Sequence, residues 1–340
     1  MKSNYFVERT NNNRKSLANY LEELPPFCFE YFLGIESKTT SLTRLNYAMD
    51  ICVFFDYLAN WKFNKNILEI TIEDLAKVTS NDIEQFLSYL SYYTYKDKNY
   101  YNGERGKVRK LASVRSFFKY YFNKDKLPYN VASKVETPKL HQKEIIRLET
   151  DEVVKILKNA EQHQVGEKHQ ANYNKNTAIR DCAMLSLFLG TGIRISECVG
   201  LNVEDIDFDN NAFKITRKGG NQVVLYFSDE VKNELKKWIE YRNTLNADTN
   251  ALFLSLQKKR ITTRAVQNMV KKYSLTVNPL KKITPHKLRS TYGTNLYRET
   301  KDIYIVADVL GHRDVNTTKK HYAAISEDIR RSAADKVKLR

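Results

Sequence analysis

The sequence predicts a mainly α-helical protein with a small antiparallel β-sheet: an all-helical N-terminal domain, then a mixed α/β domain. Three observations predict it. Apolar residues recur every three or four positions through most of the chain. The period changes to strand-like only between 204 and 227. A stretch at 126–148 carries two prolines, many charges and weak periodicity, and separates two strongly patterned halves. A chain of 340 residues with 42% hydrophobic content is long enough for two cored domains.

Residues 1–16 are polar and Asn-rich and read as a flexible arm. Residues 17–125 read as the helical domain. LANYLEEL (17–24) and PFCFEYFLG (26–34) give short helices. A long one follows at 41–61, with Leu42, Leu45, Met49, Val53 and Tyr57 as its apolar stripe. Asn81 and Glu84 have capping-box spacing ahead of IEQFLSYLSYY. Over 107–122, Val108, Leu111, Val114, Phe118 and Tyr121 share one face. Residues 126–148 read as the linker and 149–340 as the second domain. There, Thr150 reads as the N-cap of a helix over 150–162. Thr177 and Gly190 bound a strongly apolar helix. DIDFDN, AFKIT and QVVLYF are short strands broken at Asn210-Asn211 and Lys218–Asn221. Helices resume at 229–246, 263–274, 285–298, 302–310 and 317–325.

The charge balance is +16, from 56 Lys+Arg against 40 Asp+Glu. Such a surplus favours a polyanionic partner, because each neutralised phosphate releases a condensed counterion. A membrane surface would call for a basic amphipathic helix with an aromatic face or a lipidation signal, and neither is present. No signal-peptide core and no span-length apolar run occur, so the expected compartment is the cytoplasm. Cys28, Cys52, Cys182 and Cys198 are scattered among apolar neighbours and read as buried thiols.

Four segments of the second domain carry chemistry: GTGIRISECVGL (190–201), TRKGGN (216–221), TPHKLRSTYGTNL (284–296) and VLGHRDVNTTKKHY (309–322). Arg194 follows two glycines at a helix junction, and its guanidinium offers a planar fork to phosphate oxygens. Glu197, three residues on, can pair with it. Read by itself, an ordinary surface pair is the favoured reading. Lys218 sits at a glycine-rich hairpin tip, from which an ammonium can reach a scissile phosphate and give a proton to a leaving oxygen. His286 and Arg289 are one turn apart at a helix start opened by Pro285, where an anion is favoured. His312 follows a helix-ending glycine, and a histidine moves protons near neutral pH. His321 lies too far from it, without Cys or acid in a ligand pattern, to suggest zinc. Tyr322 suits a nucleophile only if neighbouring cations favour its phenolate, because a phenol has a pKa of about 10. In a chain with 22 tyrosines a packing role is the ordinary expectation for any one of them. The conjunction of all four segments, in this order and in one basic chain, is what sets Tyr322 apart.

That order and spacing resemble the tyrosine site-specific recombinases, the family of phage integrases and Xer proteins. The resemblance covers roughly residues 145–330, and the earlier part more loosely. It implies a core-binding domain at 17–125 and a tyrosine-recombinase catalytic domain at 149–340. Arg194 and Arg289 match the two phosphate-binding arginines, Lys218 the hairpin general acid, His286 and His312 the two histidines, and Tyr322 the nucleophile. Glu197 matches the frequent acidic residue in a supporting role. Ser290 departs from the family, which often has His or Asp there, and should alter local packing more than activity. The implied reaction uses neither metal nor ATP and no other cofactor. Tyr322 forms a 3′-phosphotyrosyl link, and two rounds of exchange pass through a Holliday junction.

The implied partner is double-stranded DNA at a short inverted repeat, held by a homotetramer on two sites, with an accessory or sister recombinase as an option. The basic residues Lys107, Arg109, Lys110 and Arg115, and Arg260, Arg264 and Gln267, are candidate DNA contacts. Solvated helix faces are an equal reading for each of them. In the tail, Ile325, Ile329, Ala333 and Val337 give a narrow apolar stripe suited to a neighbouring protomer or to its own domain. About sixteen polar residues before the first helix are too few for an arm-binding domain, which favours Xer-like dimer resolution and chromosome partition or a compact mobile-element recombinase. A topoisomerase-like relaxing enzyme and a catalytically silent DNA-binding regulator on the same scaffold are the alternatives. All six chemical groups are present, which speaks against the second.

Overall fold

The computed structural model describes residues 4–141, 146–162, 171–217, 220–311 and 314–315. The chain divides into two units, Met1–Lys143 and Glu144–Arg340.

In the first unit the helices are α1 (Asn4–Leu21), α2 (Cys28–Gly34), α3 (Ser41–Leu58), α4 (Ile72–Ala76), α5 (Ser80–Tyr89) and α6 (Glu104–Phe122). Residues 4–16, expected as an arm, are instead the first turns of α1. Their Asn-rich composition is poor for an isolated helix. Side-chain contacts supply what propensity lacks: Asn13 donates to Ser41 Oγ (3.1 Å), and Arg14 pairs with Glu36 (3.5 Å). The stripe expected on α3 is met in part: Val53 and Tyr57 are buried and Leu45 packs against the core. Leu42 and Met49 are exposed, while Ala48, Ile51, Phe54, Phe55 and Leu58 are buried. This helix is apolar around much of its circumference, so periodicity alone picks its face poorly. The capping box at the start of α5 is formed by Thr79 and Asp82, two residues earlier than Asn81 and Glu84. Thr71 and Asp74 make a second box at α4. On α6, Leu111, Val114, Phe118 and Tyr121 are buried as expected.

The core is aromatic. Phe54, Phe55, Phe86, Phe117 and Phe118 are within 1% of full burial and meet in edge-to-face pairs. Buried hydroxyls are satisfied: Tyr121 donates to Phe27 O (2.6 Å) and Tyr31 to Ser116 Oγ (2.9 Å). A short hairpin, β1 (Tyr93–Tyr95) and β2 (Lys98–Tyr100), accompanies the helices. Much of the expected linker is part of this core, since Leu127, Ala132 and Val135 are buried in it.

The second unit holds α7 (Thr150–Glu161), α8 (Ala171–Thr191), α9 (Ile195–Gly200), α10 (Asp229–Thr244), α11 (Thr263–Leu275), α12 (Pro285–Thr300) and α13 (Ile303–Leu310). The sheet of β3 (Ile206–Asp207), β4 (Ala212–Thr216) and β5 (Gln222–Tyr226) is antiparallel, with Phe213 opposite Ile206 on one side and Leu225 on the other. Helix α8 begins six residues before Thr177, and Glu149 rather than Thr150 caps α7. Trp238 donates to Leu252 O (2.8 Å) and stacks on Phe253. A buried network anchors α8: Arg180 reaches Asp181 (2.6 Å) and Leu254 O (2.7 Å), and Tyr273 donates to Asp181 (3.2 Å). Residues 317–340, with the expected last helix and the apolar tail stripe, lie outside the described residues. Among the described residues no helix is long and apolar enough to cross a membrane.

Candidate active site

The site begins where α8 stops. Gly192 reverses the chain at φ 61°, and a Cβ there would sit 2.5 Å from the Tyr292 ring. Only glycine meets both demands. Two residues later Arg194 is the N-cap of α9, extended at ψ 147°. Glu197 closes a capping box onto it. Its Oε2 accepts the Arg194 backbone N–H (3.0 Å), and its Oε1 accepts Arg194 Nη1 (2.9 Å). Glu197 is 5% exposed, so this is no ordinary surface pair. A buried carboxylate fixes the guanidinium plane.

The far edge of Arg194 reaches α13. Its Nη2 donates to Leu310 O (3.1 Å) and Gly311 O (3.0 Å). Arg289, buried on α12, donates through Nη1 to Gly192 O (2.5 Å) and through Nη2 to the same Leu310 carbonyl. Asp302 caps the start of α13, accepting from Tyr304 N (2.7 Å), and Gly311 ends it at φ 60°. Two arginines 95 positions apart in sequence therefore meet at one helix C-terminus, whose dipole favours positive charge. His286 is exposed in the first turn of α12, one turn before Arg289. Ser290 donates back to His286 O (3.0 Å).

Lys218, His312 and Tyr322 lie outside the described residues. Arg217 and Gly311, which precede the first two in sequence, are described. Arg217, which the sequence reading passed over as a flank of Lys218, donates to Val309 O (2.8 Å) and more distantly to Asp308 O (3.5 Å). Burial pushes its guanidinium below the ordinary value; Glu197 pulls it back and Arg194 adds to the lowering. The residue type next to a hairpin lysine was the only sequence signal for it.

The candidate DNA contacts separate into two sets. Lys110 is 5% exposed and ends on Asp50 (3.1 Å). Arg115 donates to Ala132 O and Val135 O, and Arg260 to Val199 O and Leu201 O (both 2.8 Å). These three hold the fold. Lys107 is half-buried against Glu104, whereas Arg109, Arg264 and Gln267 present exposed side chains.

All four cysteines are buried. Burial, then the neighbouring Glu234, pushes the Cys182 thiol up to about 12. Glu161, Cys182 and Glu234 bring ligand atoms within 4.8 Å of one another. A cation is already there in Lys237, 2.5 Å from Glu234, so the trio fits an ion pair over a protonated thiol better than a metal centre.

Residues 146–328 match the phage integrase family. Tyrosine recombinase XerC of Caldanaerobacter subterraneus is 31% identical over 338 residues, covering 95% of this chain and 90% of that protein. Tyrosine recombinase XerS of Streptococcus agalactiae is 32% identical over 358 residues, covering 95% and 99%. Among solved structures, XerH recombinase bound to a palindromic difH substrate superposes with TM-score 0.64 at 17% identity, covering 87% of this chain and 80% of that one. A lambda integrase dimer on a core site gives 0.62 at 15%, covering 87% and 93%. With more than half its length matched and two such relatives over nearly all of it, the chain belongs to the phage integrase family. Within that family it is a tyrosine recombinase of the Xer type, an enzyme of DNA strand cleavage and rejoining.

Proposed function

We propose that the chain recombines double-stranded DNA at a short inverted repeat through Arg194, Lys218, His286, Arg289, His312 and Tyr322. Arg194 and Arg289 bind the scissile phosphate and take up the charge that grows on it. The Tyr322 oxygen bonds to phosphorus as the phosphorus–5′-oxygen bond breaks. Lys218 gives a proton to the departing 5′-oxygen, and the histidines accept the phenol proton. Bond energy is kept in the 3′-phosphotyrosine, so a partner strand's 5′-hydroxyl can rejoin without a cofactor. The observation that carries this reading is the meeting of Arg194 and Arg289 at the Leu310 carbonyl, two residues before His312 in sequence.

Glu197 acts by holding Arg194. Arg109, Arg264 and Gln267 are the surviving candidates for DNA contact. The assembly is a homotetramer on two DNA sites, working in the cytoplasm with or without a sister recombinase. Its role is Xer-like dimer resolution, supported by XerC and XerS relatives that match it over 90% and 99% of their own lengths.

The test is to incubate the protein with genomic DNA of its source cell, quench with detergent, and sequence the DNA left covalently attached. Wild-type adducts at one inverted repeat in the chromosome backbone, absent with Tyr322→Phe, are expected. Adducts confined to the edges of an inserted element would replace dimer resolution with integration. Specific binding without adducts from either protein would return the regulator reading.

A further inference from the structure

Residue 217 stands at the base of the loop that carries Lys218. Its backbone N–H donates to Asn221 O (2.8 Å), and its carbonyl accepts from Gly220 N (3.0 Å). Gly220 turns the chain at φ 87°. The loop is thus closed by a backbone pair at Arg217, and Lys218 is the next residue along the chain.

The Arg217 side chain leaves the hairpin altogether. It runs to the end of α13, where Nη2 donates to Val309 O (2.8 Å) and Nη1 lies 3.5 Å from Asp308 O. Its guanidinium packs on the Gly311 α-carbon closely enough that a Cβ at 311 would collide with it. Arg194 and Arg289 take the next carbonyls, Leu310 and Gly311. Three guanidiniums therefore share four consecutive carbonyls immediately before His312 in sequence.

This arrangement is a poor device for stability alone. Arg217 Nε is buried without a hydrogen-bond partner among the described residues. Arg194 is a like charge in the same neighbourhood. What the contact does supply is a fixed distance between the loop base and the end of α13, which no hydrogen bond of the β4–β5 ladder provides.

We infer that Arg217 is a positioning residue for proton transfer: it ties the residue next to Lys218 in sequence to the C-terminal carbonyls of α13. It touches no reacting atom and acts through Lys218. The inference rests on the reading of Lys218 as general acid.

The test uses a duplex carrying the cleavage site mapped by adduct sequencing, in two forms. One has the ordinary 5′-bridging oxygen at the scissile phosphate; the other has sulfur, which leaves as a thiolate and needs no proton. Single-turnover cleavage is followed for wild type, Arg217→Ala, Arg217→Lys, Arg194→Lys and Tyr322→Phe. Arg217→Ala should be slower on oxygen by about 10²-fold, the usual worth of one general acid or base, and should cleave sulfur near the wild-type rate. Arg217→Lys, which keeps a charge and a donor, should fall between wild type and Arg217→Ala on oxygen. Arg194→Lys should remain slow on both, because phosphate binding is needed for either leaving group. An equal loss for Arg217→Ala on the two duplexes, or no loss at all, would overturn the inference, as that pattern means a general packing role or none. An Arg217→Ala protein that fails to fold leaves Arg217→Lys to decide on the same sulfur-to-oxygen ratio. Cleavage by Tyr322→Phe would instead remove the nucleophile assignment itself.

Discussion

In the first unit Asp50, fully buried on α3, receives Arg109 (2.5 Å), Lys110 (3.1 Å) and Ser113 (2.8 Å) from α6. In the second, Arg194, Arg217 and Arg289 converge on neutral carbonyls, with Glu197 as the nearest carboxylate. Both clusters join elements distant in sequence, and both gather basic side chains near one acid. They differ in acceptor. One carboxylate cancels one of the two cations on it, so the buried Asp50–Lys110 pair is neutral and the charge left over sits on Arg109, whose side chain is half exposed. Carbonyl dipoles orient guanidiniums without cancelling their charge, so that cluster stays positive and can take an anion. Charge left over at a buried, well-ordered place is what separates a binding site from a brace.

The widest gap between the two should appear on removing the acid from one and the fork from the other. Asp50→Ala strands Lys110 in the core and should cost about 3–5 kcal/mol in denaturant unfolding. Arg194→Lys keeps a cation beside Glu197 and should leave stability near wild type, while covalent adduct formation falls by about 10²–10³-fold, the range for losing one oriented donor. Equal stability losses would erase the distinction.

Gly192→Ala probes whether the arginine cluster depends on the turn beneath it. The left-handed backbone alone should cost about 1–3 kcal/mol. Because the Gly192 carbonyl also accepts from Arg289, adduct yield should fall with it. Full activity in a destabilised protein would argue against that dependence.

Arg260 and Arg264 sharpen the comparison within one stretch of chain. Arg260→Ala removes the Arg260 donor from the Val199 and Leu201 carbonyls, of which Leu201 O keeps the Leu252 N–H, and should cost about 1–3 kcal/mol in unfolding. Arg264→Ala should leave stability within about 0.5 kcal/mol, yet reduce the slope of log affinity for DNA against log salt by about 1.

The smallest effect expected is in acid. Hydrogen bonds from Lys65 and then Lys77 lower Asp74 from 3.8 to about 2. A carboxyl depressed in the folded state stabilises the fold above its unfolded pKa and loses that contribution as pH falls through the folded one. Stability should therefore drop between about pH 4 and pH 2, and Asp74→Asn should flatten that part of the profile.

What the sequence made legible follows from range. Arg194 and Glu197 lie three residues apart, and a capping box is a local rule, so their pairing could be read directly. The short strands between 204 and 227 were legible from a change of period, and the buried face of α6 from its spacing. Asp50 lies 59 or more residues from its cations, so Lys110 read as a DNA contact when it is a brace. Arg217 escaped for the same reason, since its acceptors are 91 and 92 residues away. The start of α1 was missed because Asn-rich sequence argues against helix, and tertiary contacts such as those with Ser41 and Glu36 offset that.

The central claim is that one tyrosine of 22 carries the DNA. The direct measurement is to trap the covalent complex, trim the DNA with nuclease, digest with trypsin and find the modified peptide by mass spectrometry. The account predicts a 3′-linked nucleotide on Tyr322, in the peptide from His321 to Arg330. A nucleotide on any other tyrosine, with that peptide unmodified, would contradict it.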